Sequence, residues 1–456
     1  MDLKRQLGPV TGVLVIVADM IGTGIFMTTG NILGMTGNAL LVLTLWCLGG
    51  LVAITGSLCY AELAAMWPDE GGEYQYLKMI FGYLPAFLTG WISLMVGFSA
   101  PVATGSILLV EYIDRFITFA GVTDPNVVAL FTGAGQKGIA IGIIVFFTMM
   151  HIVGVRRGGY FQNGLTVLKI ALVVSLIVLG FWAIDWSNAG RLTALYSPAA
   201  DSLNLRLTGL ALLMVMFAYS GWNSATYIAG EIRDPGRNLP RILLAGTLLT
   251  TVLYLLINVV YLMAADGPSI MGKDEVGAIV TSSLFSPGLA GFFTLFIVLI
   301  LLSAVSVQMM VGPRVCYAMA QDGMIFRSLS AVNDRFGTPH RAILVQMFLA
   351  ILYIVVGNAM TLIIYMGFAL NIFPLLTVIG LVYMRIKRPD LARPFRVPWF
   401  PVIPAFYIAV SASMMIAALM NWTETSLFAI GVVLAGIPVY YLWRRFVSRD
   451  VKGGRA

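Results

Sequence analysis

Long apolar runs separated by short polar segments fill this chain almost from end to end. A bilayer core is crossed by roughly 20 apolar residues in helical form. Twelve runs reach that length, and they are predicted as helices at about 8–34, 38–66, 84–115, 138–155, 160–184, 206–231, 240–264, 287–321, 341–357, 360–386, 403–420 and 424–446. The polar segments between them are mostly short, which suits a compact bundle and leaves no place for a separate soluble domain. The expected architecture is one all-α integral membrane domain over 1–456. The first run is too long for a cleavable leader and is not followed by a small-residue cleavage pattern.

Composition agrees with that pattern. Of the 456 residues 59% are hydrophobic and 11% charged, against about 25% charged in a soluble domain. Mean hydropathy is +0.91. These values exclude a soluble globular protein, a disordered chain and a disulfide scaffold. Cys47, Cys59 and Cys316 all lie inside apolar runs and suggest no disulfide framework. The net charge of +7 bears on orientation rather than on nucleic acid. With the N-terminus placed in the cytoplasm, 21 Lys and Arg fall on inside segments and five on outside loops. That asymmetry follows the positive-inside rule and predicts both termini in the cytoplasm.

Two runs are interrupted near their centres. The first carries Gly22-Thr23-Gly24-Ile25-Phe26, and the sixth carries Phe217-Ala218-Tyr219-Ser220-Gly221-Trp222-Asn223. Paired glycines weaken a helix, each by about 1 kcal/mol relative to alanine. On their own such glycines often only let helices approach closely. Matched breaks in helices one and six are instead the signature of transporters built on inverted repeats. Unwinding frees N–H groups at one half-helix and carbonyls at the other. Irregular backbone at this depth must line a cavity or be buried in protein. Freed N–H groups at a positive helix end suit a carboxylate, and freed carbonyls suit an ammonium. A zwitterionic α-amino acid offers both.

At these residues the chain resembles a known family. Gly22-Thr23-Gly24-Ile25-Phe26, Tyr60-Ala61-Glu62-Leu63, Gly71-Gly72-Glu73-Tyr74 and Phe217-Ala218-Tyr219 with Gly221-Trp222-Asn223 follow one another in order. Asp234-Pro235 through Arg241, Tyr317-Ala318-Met319-Ala320 with Asp322-Gly323, and Lys387-Arg388-Pro389-Asp390 through Pro398 continue the series. Together they are similar to the amino acid–polyamine–organocation transporters, in particular the L-type amino acid transporter-like branch. The resemblance implies a five-plus-five inverted repeat, about 8–184 and 206–386, followed by two extra helices at about 403–446. It implies a substrate held between the two breaks and moved by alternating access. Carried onto this sequence, the substrate carboxylate meets N–H groups of Thr23, Gly24 and Ile25. The ammonium meets carbonyls near Met20 and at Phe217 and Ser220. The Phe217 ring gates the site, and Trp222 and Asn223 stand at or beside it.

Two charges within the apolar runs stand out. Lys169 lies well inside helix five, too deep for easy snorkelling, and an intramembrane lysine is a functional hypothesis by default. By resemblance it takes the place of a coupling ion and links helix five to helices one and eight, with Ser303 and Ser306 as neighbours. Asp19 immediately precedes the first break, where relatives carry an uncharged residue. It either binds an ammonium or a cationic substrate, carries a proton, or pairs structurally with Lys169. Glu62, and the cluster of Glu231, Arg233, Asp234, Arg237 and Arg241, read as structural or solvated charges. Arg314 has no evident partner, and Tyr365 either lines the pathway or packs.

The leading reading is therefore a secondary active amino acid permease, working as an exchanger or a proton-coupled symporter, with neutral side chains favoured by Asn223. An arginine/agmatine antiporter of the resembled family carries an acid at that position. The alternatives are a cationic amino acid or polyamine carrier and, in a different class, an amino acid sensor that transports nothing. No G-x-x-x-x-G-K-[ST] loop argues for an ATP-driven pump, and no catalytic or metal-binding cluster argues for an enzyme. No cofactor, metal or nucleic acid is expected; the partners are the amino acid, possible coupling protons and the bilayer. Residues 116–137 contain no cysteine, so the disulfide-linked glycoprotein of L-type relatives is not expected. The short loops suggest a bacterial or archaeal cytoplasmic membrane.

Overall fold

The computed structural model describes residues 5–122, 124–196, 205–273, 276–356, 359–421 and 423–453. Nineteen α-helices follow one another among them: α1 (Pro9–Met20), α2 (Thr23–Thr36), α3 (Ala39–Met66), α4 (Glu73–Phe81), α5 (Tyr83–Ile92), α6 (Ser99–Phe119), α7 (Pro125–Leu130), α8 (Gly133–Ile152), α9 (Val155–Ala183), α10 (Leu205–Tyr219), α11 (Pro235–Ala264), α12 (Gly267–Ile270), α13 (Val276–Leu284), α14 (Pro287–Val311), α15 (Pro313–Gln321), α16 (His340–Val356), α17 (Ala359–Lys387), α18 (Val402–Asn421) and α19 (Thr423–Gly453). Extended pairing among the described residues is limited to the isolated bridges Leu7–Ile232 and Asn38–Leu195. Nine described helical stretches are long and apolar enough to cross a membrane, and the bent pair α1–α2 makes up to ten. Leu207–Tyr219 and His340–Val356 are shorter apolar helices. The chain is thus an all-α membrane protein.

Local chemistry sets the ends of these helices. Proline stands in the first turn of α1, α11 and α14, where its missing N–H costs nothing. Gly37 closes α2 with φ 60°. The Asn38 side chain then caps α3 by accepting from the Leu41 N–H at 2.9 Å. The broken pair α1–α2 runs through the centre. There α1 packs against α9, α11 and α14, while α2 packs against α10. Around this centre α3 lies along α11, and α6 along α14.

Three predicted spans are subdivided. The span predicted at 84–115 is α5, a wider π-type turn at Ser93–Phe98, and α6. The Ser99 hydroxyl holds that turn by donating to the Leu94 carbonyl at 2.7 Å. The span predicted at 287–321 divides at Gly312-Pro313 into α14 and α15. The sixth helix, predicted to run from 206 to 231, ends at Tyr219. Short turns replace it, with Gly221 at φ 101° and Ser224 donating to the Gly221 carbonyl at 3.0 Å. The segment 67–83, read as a loop, contains α4.

Candidate functional site

The first break bends the chain by 40° between α1 and α2. Helix geometry leaves the opening N–H groups of α2, at Thr23, Gly24 and Ile25, without internal acceptors. No side chain caps them. Gly22, Thr23 and Gly24 line a cavity together with Asp19, Met20, Phe217 and Ser220. The Ile25 side chain is buried in the core and contributes only its backbone to this end. Gly24 has a packing role as well. A Cβ there would lie 2.5 Å from Ala218 Cα, so glycine lets the two breaks touch.

The carbonyl end of the break is already engaged. Lys169 is fully buried and donates to the carbonyls of Ala18 at 2.8 Å and Ile21 at 2.6 Å. The Tyr254 hydroxyl lies against the carbonyls of Met20 and, at 2.9 Å, Ala218. Its single proton serves one or the other and ties the two breaks together. In the sixth span the Phe217 carbonyl accepts from the Ser220 N–H at 3.1 Å. Of the backbone acceptors expected there, the Phe217 carbonyl already has an internal donor, and the Met20 carbonyl shares the Tyr254 proton with Ala218.

Asp19 takes a different position from a partner of Lys169. Among the described residues the two make no direct ion pair. The Asp19 carboxylate accepts instead from Gln308 Nε2 of α14. Gly221 makes room for it, because a Cβ at that position would stand 2.9 Å from the Asp19 side chain. The Gln308 Oε1 atom is buried without a partner. Ser303 and Ser306, expected beside Lys169, bond elsewhere. Ser303 accepts from Gln162 Nε2 at 3.2 Å through both its hydroxyl and its carbonyl. Ser306 lies 3.1 Å from His151 Nε2. Lys169 reaches past both to the end of α1.

A second cavity adjoins the first and shares Asp19, Phe217, Ser220, Gln308 and Leu370 with it. It continues to Trp222, Asn223, Tyr227, Thr89 and Glu73. Phe217 is half-buried and lines both cavities. Trp222 is held edge-on by Tyr60 at 4.7 Å and Tyr407 at 6.2 Å between ring centroids. Asn223 donates to Glu73 Oε1 at 2.6 Å and to the Tyr227 hydroxyl at 3.3 Å. Burial raises the Glu73 carboxyl to about 7 against hydrogen bonds from Tyr60, Thr89, Tyr227 and Asn223. Asp19 and Glu73 are the only charged side chains lining the two cavities among the described residues.

Ion pairs join the elements near the end of α3. Arg314 and Glu231 form a fully buried pair at 2.7 Å, so Glu231 does not belong to a solvated cluster. It is the partner that the sequence left open for Arg314. Glu62 binds Arg385 at 2.8 Å through Nε and Arg393 at 3.1 Å. Lys78 and the Tyr74 hydroxyl both reach Asp322 at 2.8 Å.

Three participants escaped the sequence reading. Gln308 carried the usable signal of a polar residue inside an apolar run. Tyr254 did not stand out, since a membrane tyrosine is usually packing. Glu73 belonged to an apparent loop, where an acid is ordinary. The Tyr365 side chain lies outside the described residues. Among the described residues no three His, Cys, Asp or Glu side chains converge on a point that would hold a metal ion.

Comparison with known proteins follows this geometry. The profile of the family described as "Amino acid permease" matches residues 7–440. The b(0,+)-type amino acid transporter 1 of Mus musculus is 30% identical over 460 residues, covering 99% of this chain and 91% of that protein. The serine/threonine exchanger SteT of Bacillus subtilis is 27% identical over 443 residues, covering 96% of this chain and 97% of its own length. The large neutral amino acids transporter small subunit 2 of Mus musculus is 29% identical over 452 residues, covering 96% and 81%.

Proposed function

Because this chain belongs to the amino acid permease family, and is a transporter rather than an enzyme, we propose that it carries neutral α-amino acids by alternating access. The observation that supports this reading most is the polarity of the cavity beside the first break. The uncapped N-terminal residues of α2 and Asp19 both line it. The first suits an α-carboxylate through the helix dipole and unpaired donors, and the second suits an α-ammonium. Asp19 takes the ammonium here because the carbonyls of Ala18 and Ile21 already accept from Lys169 and that of Met20 shares the Tyr254 proton with Ala218. Ser220 and the Phe217 ring border the bound molecule, and Trp222 and Asn223 border its side chain. Lys169 fixes the carbonyl end of the break.

Neutral substrates agree with the relatives, whose names include a serine/threonine exchanger and a large neutral amino acid transporter. The whole chain acts as one transport domain, with two repeats meeting at the breaks. The excess of Lys and Arg on alternate loops supports both termini in the cytoplasm, in a cell membrane and without a disulfide-linked partner. The test is uptake of a labelled amino acid mixture by purified protein in liposomes. Saturable uptake of neutral amino acids, with competition among them, is the expected result. Absence of uptake and of exchange for every amino acid offered would overturn the reading.

A further inference from the structure

Opposite charges meet at the first break without pairing. Lys169 spends two of its N–H groups on the Ala18 and Ile21 carbonyls. An ammonium has three donors, and among the described residues the third meets no acceptor. Asp19 follows Ala18 in the chain and is the carboxylate whose charge acts on Lys169. A direct ion pair between them would add Coulomb attraction, which is strong in a buried site of low dielectric. The carboxylate is held elsewhere.

What holds it is built on α14. The Gln308 carbonyl accepts from the Gly312 N–H at 3.0 Å and from Gln346 Nε2 of α16 at 3.1 Å, which ties this turn to its neighbour. Gly312 leaves room for Gln346, since a Cβ there would lie 2.7 Å from Gln346 Oε1. From this anchored turn the Gln308 side chain reaches Asp19, and its Nε2 donates to Asp19 Oδ1. An amide turns its N–H side to a carboxylate, since two oxygens repel. Gln308 Oε1 is thereby left buried without a donor, a cost that is offset only by the contact with Asp19. On the other side of the carboxylate Gly221 leaves space, and the Ser224 hydroxyl stands beside it. In this position Asp19 and Gln308 both line the two cavities.

We propose that Gln308 is a positioning residue for the substrate: it holds the Asp19 carboxylate on the cavity wall and off Lys169, and so keeps that charge available to the ammonium of the amino acid. The assignment rests on the amino acid transport reading above. Gln308 acts through Asp19 and suits the task because its amide is neutral. A lysine or arginine there would neutralise the carboxylate, and an apolar side chain would release it to the spare donor of Lys169.

The test is uptake of labelled threonine in proteoliposomes, with KM and kcat read separately, for Gln308→Met, Asp19→Asn and the double variant. Methionine matches glutamine in length but donates nothing. Gln308→Met should raise KM about tenfold or more, the effect of losing a hydrogen bond to a charged group, with kcat and unfolding temperature little changed. Asp19→Asn should raise KM by a similar factor. Adding Gln308→Met to Asp19→Asn should then move KM by no more than about twofold, within the usual error of a mutant cycle. If Gln308→Met does not fold, Gln308→Asn keeps the amide, stops a methylene short of the carboxylate and is expected to behave in the same way. For a variant that folds without transporting, thermal stabilisation by threonine in detergent reads the same affinities. An unchanged KM in Gln308→Met, or the two effects multiplying in full in the double variant, would overturn the proposal. Wild-type protein that carries neither threonine nor any other neutral amino acid would instead overturn the transport reading.

Discussion

The two ends of the first break differ in what they leave free. Lys169 and Tyr254 engage the carbonyls, while Thr23 and Gly24, whose N–H groups open α2 without internal acceptors, line the cavity. A fair test of that open end removes one donor and disturbs no packing. Gly24→Leu does not qualify, since even a Cβ would strike Ala218 at 2.5 Å. Thr23→Pro does, because proline suits the first helical position and removes an N–H that has no internal acceptor. Losing one hydrogen bond to a carboxylate, about 1.5 kcal/mol, should raise KM roughly tenfold with an unchanged unfolding temperature. An unchanged KM would move the carboxylate elsewhere. Glu73 gives a pH signature. The groups facing it are the hydroxyls of Tyr60, Tyr227 and Tyr407, the Asn223 amide and Thr89, with Tyr76 on its own helix and Asp19 across the cavity. Its carboxyl is raised to about 7, so the accepting, deprotonated form grows as pH rises through that value. Uptake should therefore depend on pH between pH 6 and pH 8, and the Glu73→Gln profile should be flat over that range. Asp19 and Lys169 were legible in the sequence because charge inside an apolar run is rare. The groups that meet this end of the chain were not, since Gln308, which binds Asp19, and Tyr254, which lies against the Met20 carbonyl, come from helices more than 200 residues away.

Among the elements, apolar length made the spans visible, but it could not show how a span is subdivided. The π-type turn at Ser93–Phe98 adds its extra residue inside an unbroken apolar run, and it places Ser93, Gly97 and Phe98 on the cavity wall. The loss of helix after Tyr219 depends on Gly221 being held at φ 101° against Asp19, a tertiary contact. Helix α4 is nine residues long, too short to register against its neighbours. Its residues do different work: Glu73 lines the site, while Tyr74 and Lys78 hold Asp322 beyond α15. The ion pairs near it should differ in strength. Lys78 and Asp322 are 19% and 22% exposed, so Lys78→Ala should cost at most about 1 kcal/mol. Glu231→Gln leaves the Arg314 charge buried without its partner, which costs roughly 3–5 kcal/mol. Thermal unfolding in detergent should show a much larger loss for Glu231→Gln than for Lys78→Ala. Equal losses would mean that the buried pair is not what joins α15 to the end of the sixth span.

For the whole molecule, the same geometry bears on whether the carrier returns without cargo. An amino acid satisfies both halves of the central cavity at once, its carboxylate on the open end of α2 and its ammonium on Asp19. Without one, reorientation carries a carboxylate that has only neutral hydrogen-bond donors, and unpaired backbone donors, through a medium of low dielectric, where neither is well solvated. Lys169 does not relieve that penalty, because its ammonium is committed to Ala18 and Ile21. Loaded transitions should therefore be much faster than unloaded ones, which is the behaviour of an exchanger. The measurement compares labelled uptake into liposomes preloaded with unlabelled amino acid and into vesicles without it, with and without an imposed inward proton gradient. Uptake into preloaded vesicles should exceed the other by at least about tenfold, corresponding to roughly 1.4 kcal/mol of barrier, and the proton gradient should change neither. Gradient-driven accumulation in vesicles without internal amino acid would contradict exchange. It would mean that a proton takes the place of the ammonium on the return step, and Asp19→Asn, neutral without a proton, should then lose the response to the gradient while still exchanging.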